Sequence, residues 1–288
     1  MSNKLKMPDI EFDLSNQHVI DTMQKVTFLD IETSLLDARV FRTGKQQINA
    51  NQLRNTTKIL TVAGGSMLDL YTKGEKGIWG VGNHQFKKRF KADPLDDTET
   101  LERVWHILDQ SDVIVAHNAR FDRSWLLGRF LELGWKLPSR FSTICTYRNL
   151  HQFNMTSKKL DELSRNLINT KKISTDFSLW DRCSNGEKAA FDEMLKYNKG
   201  DIGQTLFKVY LRTCQYNPQL SVDMTDHSLE LPQCRVTGDL LEDYGTHVNH
   251  TTGLEYYLYQ NTKNGLIYRD RYTTDSKKAD IGKVRFYI

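Results

Sequence analysis

Four short apolar runs rich in β-branched residues limit what this chain can fold into. They occupy residues 25–33, 59–63, 78–81 and 112–116. Runs of that length and composition read as buried strands, because they are too short for core helices and too apolar for surface loops. Between the last two, Leu101, Val104, Trp105 and Leu108 recur at helical spacing and predict a helix over 97–110. A second helix is predicted over 121–133, closed by Gly134. An edge strand is expected at 141–146, with further helices at 159–168, 186–196 and 201–212. Strands followed by helices through residue 213 predict a three-layer α/β domain.

The flanks have a different texture. Residues 1–24 are polar and aperiodic apart from Val19, Ile20 and Met23, and read as a loosely held N-terminal arm. Pro218 marks a boundary, after which residues 219–288 are rich in Tyr, Gly and Thr without a helical period. They predict short antiparallel strands in a small β-rich domain. The expected organisation is therefore 1–24 arm, 25–218 α/β domain and 219–288 β-rich domain.

Composition removes several function classes. With 39% apolar and 26% charged residues the chain is not wholly disordered. No apolar run approaches the ~20 residues of a membrane span, so no membrane partner is expected. Forty Lys and Arg against 36 Asp and Glu leave only +4, so an anionic partner must be met by a local patch. Cys145, Cys183, Cys214 and Cys234 form no CxxC pair, which argues against a disulfide framework and for a reducing compartment. Asp9, Glu11, Asp13 and Asp21 interrupt any signal-peptide core. The expected location is cytoplasmic.

Chemistry enters with carboxylates placed where elements end. Asp30 and Glu32 close the first strand, and residues two apart on a strand project to one side. Asn118, Phe121 and Asp122 follow the strand at 112–116; there Asn118 could cap the next helix and Asp122 could favour its positive end. Tyr197 precedes Asp201 by four residues, so a helix would put phenol and carboxylate on one face. Gly200 weakens that helix by up to ~1 kcal/mol but leaves room at a crowded site. Carboxylates gathered in one place repel unless divalent cations neutralise them, and hard oxygen donors suit Mg²⁺ or Mn²⁺.

In this order, Asp30-x-Glu32, Asn118-x-x-Phe121-Asp122 and Tyr197-x-x-x-Asp201 resemble the three motifs of the DEDD superfamily of 3′-5′ exonucleases, on the ribonuclease-H-like fold with a mixed central sheet. The tyrosine resembles the DEDDy branch, and the likeness spans residues 25–213. Stretches at 157–160, 177–180 and 194–198 are similar to stand-alone phage and prophage exonucleases of that branch, proteins of a bacterial or phage-infected cytosol. Those proteins often end in a zinc ribbon. Here Cys234 and Thr237 stand in place of one Cys pair, and Asn261 and Asn264 in place of the other. One thiol cannot supply four ligands, so a degenerate ribbon without structural zinc is expected. A rearranged site on Cys234, His247 and His250 stays open at this point.

The resemblance implies a two-metal exonuclease. Asp30, Glu32 and Asp201 would hold one ion, Asp30 would bridge to a second on which Asp122 acts directly or through water, and Tyr197 would orient the attacking water. Thr33 and Asn118 would bind the terminal nucleotide, with Phe121 as core packing beneath the site. Single-stranded DNA is the favoured substrate, RNA a possible one, and nucleoside monophosphates the products. A polymerase or a replication or recombination protein could be a partner. Independently, residues 36–91 carry 11 Lys and Arg against 3 Asp and Glu, including Lys87, Lys88 and Arg89, a candidate phosphate-binding run. Tyrosines interleaved with cations over 256–272 suit either single-strand stacking or a small β core. Trp180 reads as a buried aromatic, and His84, His106, His151 and His227 as ordinary residues. The competing reading is a nucleic-acid- or partner-binding protein on an exonuclease fold with little or no cleavage. An RNase H-type endonuclease would leave Tyr197 without a reason.

Overall fold

The apolar run that carries Asp30 and Glu32 becomes the middle strand of a five-stranded sheet. The structure is a computed structural model and describes residues 9–42, 44–45, 47–171, 173, 175–273 and 285–286. From the N-terminus, α1 (Gln17–Gln24) precedes β1 (Val26–Thr33), β2 (Ile59–Ser66) and α2 (Met67–Lys73). Then come β3 (Trp79–Gly82), α3 (Lys87–Ala92), α4 (Thr98–Asp109) and β4 (Val113–Ala116). They are followed by α5 (Arg120–Glu132), β5 (Ser142–Cys145), α6 (Thr146–Asn149), α7 (Leu160–Ile168) and α8 (Phe177–Ser184). Next, α9 (Lys188–Gly200) runs into a π-helical turn (Asp201–Leu206) and α10 (Phe207–Cys214). Four strands close the chain: β6 (Glu242–Val248), β7 (Glu255–Gln260), β8 (Ile267–Thr273) and β9 (Arg285–Phe286).

The chain divides into residues 25–209 and, as a second unit, 1–24 with 210–288. In the first unit the sheet order is β3-β2-β1-β4-β5. β1 pairs antiparallel with β2 and parallel with β4, which makes the sheet mixed. Alternation along β1 sends Leu29 and Ile31 into a core with Leu101, Val104 and Leu108 of α4 and Leu126 and Phe130 of α5. Each fully buried side chain there contributes roughly 1.5–3 kcal/mol. On the opposite face Leu60 packs with Leu179 and Cys183 of α8 and with Phe191, Met194 and Tyr197 of α9. Helices on both faces of a five-stranded mixed sheet make this the ribonuclease-H-like α/β architecture. A buried ion pair sets the start of β2: Asp97 Oδ2 accepts the Ile59 N–H at 2.9 Å and the Arg129 Nε–H at 3.0 Å.

The second unit departs from the expected loose arm. Val19 and Met23 are fully buried on one face of α1, and His18 Nε2 lies 3.0 Å from the Thr225 carbonyl oxygen. Two apolar side chains one turn apart suffice to dock a two-turn helix whose remaining residues are polar. The division falls within α10, where the buried Tyr210 hydroxyl accepts the Val222 N–H at 3.0 Å. The strands β6 to β9 form an antiparallel sheet, so the C-terminal part is small and β-rich. Two of its turns share one geometry. Gly238 N–H donates to Cys234 O at 2.7 Å and Gly265 N–H to Asn261 O at 2.7 Å, with φ of +76° and +73°. Only glycine takes that φ without strain. A polar cluster links them: Asp239 Oδ2 accepts from Thr237 Oγ1 at 2.6 Å and from Asn261 Nδ2 at 3.1 Å, and Asp239 Oδ1 accepts from Lys263 Nζ at 2.6 Å. All four cysteines are thiols, and Cys234 Sγ lies 2.8 Å from the Tyr268 hydroxyl.

Candidate metal and active site

β1 extends past the end of β4. Its parallel pairing stops at Phe28 opposite Val115, so Asp30, Ile31 and Glu32 line the crevice beyond β4, on the strand where the sheet switches from parallel to antiparallel. In open α/β sheets that switch point, at the carboxyl ends of the strands, is where ligands bind. Phe28, Asp30 and Glu32 share one face, and Phe28 meets Phe207 of α10 edge-on at 5.1 Å. The same face therefore looks towards the C-terminal end of α9, where Asp201 stands. One carboxylate oxygen from each of Asp30, Glu32 and Asp201 lies within 4.8 Å of the others. Among the described residues this is the only cluster of three His, Cys, Asp or Glu ligand atoms, and Cys234, His247 and His250 form none. A bulge in the β1–β2 pairing falls between Glu32 and Thr33 and re-aims the strand just beyond the carboxylates.

Asp122 reaches the same strand from the first turn of α5. Its Oδ1 accepts the N–H of Ile31 at 3.2 Å, taking up a donor that β4 no longer covers. Only 3% of Asp122 is exposed, and burial pushes its pKa up to about 7 against the pull of the Ile31 N–H and its own N–H. A cation alongside would reverse that balance. Asp122 thus stands beside the Asp30–Glu32 backbone and outside the three-carboxylate group.

α9 continues through Tyr197 to Gly200, four residues beyond the expected helix end, so Tyr197 and Asp201 lie one turn apart. Gly200 has ordinary helical dihedrals, and a Cβ there would sit 2.8 Å from Ile173 Cδ1, the movable end of that side chain. Tyr197 is 8% exposed and meets Trp180 of α8 edge-on at 6.0 Å. Trp180 therefore buttresses the tyrosine. The π turn begins at Asp201, and Thr205 Oγ1 donates to the Asp201 carbonyl at 2.5 Å. Single π turns inside helices recur at functional sites.

The other expected site residues divide. Thr33 is half-buried at the end of β1. Asn118 is exposed and left-handed (φ +62°), and α5 has no side-chain cap; only the Asn118 carbonyl accepts, from Phe121 N–H at 2.8 Å. Phe121 is 41% exposed, which corrects its reading as core packing. The buried stripe of α5 is Asp122, Leu126, Arg129 and Phe130, and position 121 falls outside it. Lys87 and Lys88 are exposed on α3. Arg89, by contrast, pairs with Asp96 at 2.9 Å and Glu99 at 3.1 Å, which removes its guanidinium from the phosphate-binding run. α3 leaves the sheet at the carboxylate end, since Gly82 of β3 lies opposite Thr61 and Thr61 opposite Glu32.

Sequence reading passed over a second feature of this sheet end. His117 Nδ1 lies 2.9 Å from Thr146 Oγ1, and the His117 ring meets Tyr147 edge-on at 5.7 Å. The signal was present in the polar residues directly after both β4 and β5. His84, read as ordinary, is buried with Nε2 3.0 Å from Asp192 Oδ1, and burial lowers its pKa.

Three hard-oxygen donors within 4.8 Å, with a fourth carboxylate alongside, fit a hard divalent cation rather than a soft metal. Residues 81–211 match a family described as 3′-5′ exonuclease. That stretch holds Asn118, Asp122, Tyr197 and Asp201, and starts after Asp30 and Glu32. The match supports a nuclease function, that of a hydrolase acting on nucleic acid. No curated protein matches the chain. No helix is long and apolar enough to cross a membrane among the described residues.

Proposed function

We propose that this chain is a metal-dependent 3′-5′ exonuclease of the DEDDy type, acting by a two-metal mechanism and releasing nucleoside monophosphates. The observation that carries the reading is the convergence of Asp30, Glu32 and Asp201, 171 positions apart from first to last (201 minus 30), on one point beside Asp122. Asp30, Glu32 and Asp201 would hold one cation; Asp30 and Asp122 would hold a second. Such ions supply Lewis acidity and lower the pKa of water.

The protein's own groups do the rest. Tyr197, fixed in ring orientation by Trp180, presents its hydroxyl one turn ahead of Asp201 and orients the attacking water by a hydrogen bond. Asn118, in its left-handed turn, offers an exposed amide to the terminal nucleotide, and Thr33 a hydroxyl at the end of β1. Lys87 and Lys88 meet phosphates of the strand at the same sheet end. Single-stranded DNA is the favoured substrate and RNA the second. A cytoplasmic setting, phage or prophage origin and a polymerase or replication partner complete the reading.

The test is incubation with 5′- and 3′-labelled single- and double-stranded DNA and RNA in Mg²⁺, Mn²⁺ or EDTA. The expected result is stepwise loss from the 3′ end, abolished by EDTA. No release of monophosphate with any substrate in either metal would overturn the reading.

A further inference from the structure

The connection between β1 and β2 is longer than an antiparallel pair requires. Neighbouring antiparallel strands are usually joined by two to five residues, yet residues 34–58 lie between Thr33 and Ile59. Its described residues form an arm with a bonded stem. At its base Ser34 N–H donates to Lys58 O at 2.8 Å and Lys58 N–H to Ser34 Oγ at 2.9 Å. Higher up, Asn55 ties Leu35 and Asp37: its Nδ2 donates to Leu35 O at 3.0 Å and its Oδ1 accepts Asp37 N–H at 2.8 Å. A β-bridge joins Ala38 to Leu53, and Arg39 N–H donates to Gln52 O at 2.8 Å.

Such a stem fixes what the tip presents. Phe41 is 106% exposed, Val40 46% and Ile48 45%, with Arg39, Arg42 and Lys45 exposed among them. The arm holds five Lys and Arg (Arg39, Arg42, Lys45, Arg54, Lys58) against one acid, Asp37, a net +4 that equals the formal charge of the whole chain. A fully exposed phenylalanine between cations is costly in water and well matched to a nucleobase beside its phosphates. The arm also springs from the residue after Thr33, at the sheet end where the carboxylates converge.

We propose that this arm is a clamp for single-stranded nucleic acid on its way to the carboxylate site, with Phe41 stacking on a base and Arg39, Arg42 and Lys45 contacting phosphates. The substrate side of this inference rests on the nuclease reading above. Eight residues from Thr33 to Phe41 reach at most ~26–29 Å. The tip is therefore within reach of nucleotides next to those at the carboxylates, and a dinucleotide, the shortest substrate, serves as the control for cleavage that does not use the arm.

The test uses the full chain with Phe41→Ala and, separately, Arg39→Ala/Lys45→Ala. Binding of a fluorescein-labelled single-stranded 30-mer is followed by anisotropy in EDTA, and kcat/KM is measured in Mg²⁺ on the 30-mer and on a dinucleotide. Phe41→Ala should weaken 30-mer binding and lower its kcat/KM by roughly 5- to 100-fold, with dinucleotide hydrolysis within twofold of wild type. The double variant should also flatten the dependence of binding on salt. Phe41 is fully exposed, so its removal should leave the melting temperature unchanged. Wild-type 30-mer binding in both variants would overturn the clamp, as would loss confined to a protein complex with nucleic-acid binding intact. A wild type that binds the 30-mer through the arm yet hydrolyses nothing would sink the nuclease reading and leave the clamp standing.

Discussion

Asp122 Oδ1 accepts the backbone N–H of Ile31, the residue that separates Asp30 from Glu32, at 3.2 Å. One side chain thereby ties α5 to the strand that carries two other carboxylates, so its charge and its acceptor capacity can be tested separately. Asp122→Asn keeps an acceptor for the Ile31 N–H and removes the charge. Hydrolysis should fall by about 10²-fold or more, the scale on which one electrostatic stabiliser acts, with the melting temperature at or above wild type. Asp122→Ala should additionally lose ~1–3 kcal/mol, because a buried N–H is left unsatisfied. Denaturant unfolding of both variants checks this; equal stabilities would remove the structural half of the assignment.

Asp30, Glu32 and Asp201 impose mutual repulsion. At 4.8 Å, two unit charges repel by about 3 kcal/mol for an effective dielectric of 20, and by less here because Asp30 and Glu32 are half-exposed. Without metal, Asp30→Ala should be at least as stable as wild type and devoid of hydrolysis in Mg²⁺ or Mn²⁺. Adding millimolar Mn²⁺ should raise the melting temperature of wild type and not of the variant. An Mn²⁺-induced shift that survives Asp30→Ala would place the cation elsewhere.

Tyr197 packs its ring among Leu60, Leu179, Phe191 and Met194. Tyr197→Phe keeps that packing and removes only the hydroxyl. The rate should drop by roughly 10- to 100-fold, with stability and the Mn²⁺-induced thermal shift retained. An unchanged rate would take the phenol out of the mechanism.

Where chemistry coincides with periodicity, the placement of the candidate residues is legible in the sequence. Alternation puts Asp30 and Glu32 on one face, and one helical turn relates Tyr197 to Asp201; both relations hold in the structure. Reading failed where a buried stripe is not apolar. On α5 the inward positions include Asp122 and Arg129, and Phe121, expected beneath the site, falls outside that stripe. α1 was missed for a related reason, since only Val19 and Met23 are buried. The arm at 34–58 left no periodic signal at all, because its order comes from Asn55, Gln52 and Ser34 bonding the backbone across the stem.

His84 makes stability depend on pH in a defined direction. Burial lowers its folded pKa, Lys188 acts in the same sense, and Asp192 opposes both. The unfolded chain therefore takes up the proton first, near the ordinary histidine value of ~6.5. The contribution is fully present above that pH and is lost as pH falls below it. Melting temperature should decline between pH 7.5 and 5.5, and less steeply in His84→Gln. Parallel declines in the two proteins would assign the loss to other groups.

Asp239 joins the two glycine-bearing turns of the C-terminal part, and it does so with a cation already supplied by the chain. Its carboxylate receives Lys263 Nζ, Asn261 Nδ2 and Thr237 Oγ1, while the side chain is 5% exposed. An ammonium, an amide and a hydroxyl around one carboxylate are a poor donor set for zinc, which takes thiolates and imidazoles in structural sites. The cluster links the turns by hydrogen bonds instead. Asp239→Ala should therefore cost about 2–3 kcal/mol, since it strands a buried amide and hydroxyl as well as breaking the ion pair. Because Lys263 is half-exposed, most of that loss should persist in high salt, where the ion pair itself is screened. Elemental analysis should return no stoichiometric zinc, and EDTA should leave the unfolding of this unit unchanged. One zinc per chain, with unfolding shifted by EDTA, would restore the site on Cys234, His247 and His250.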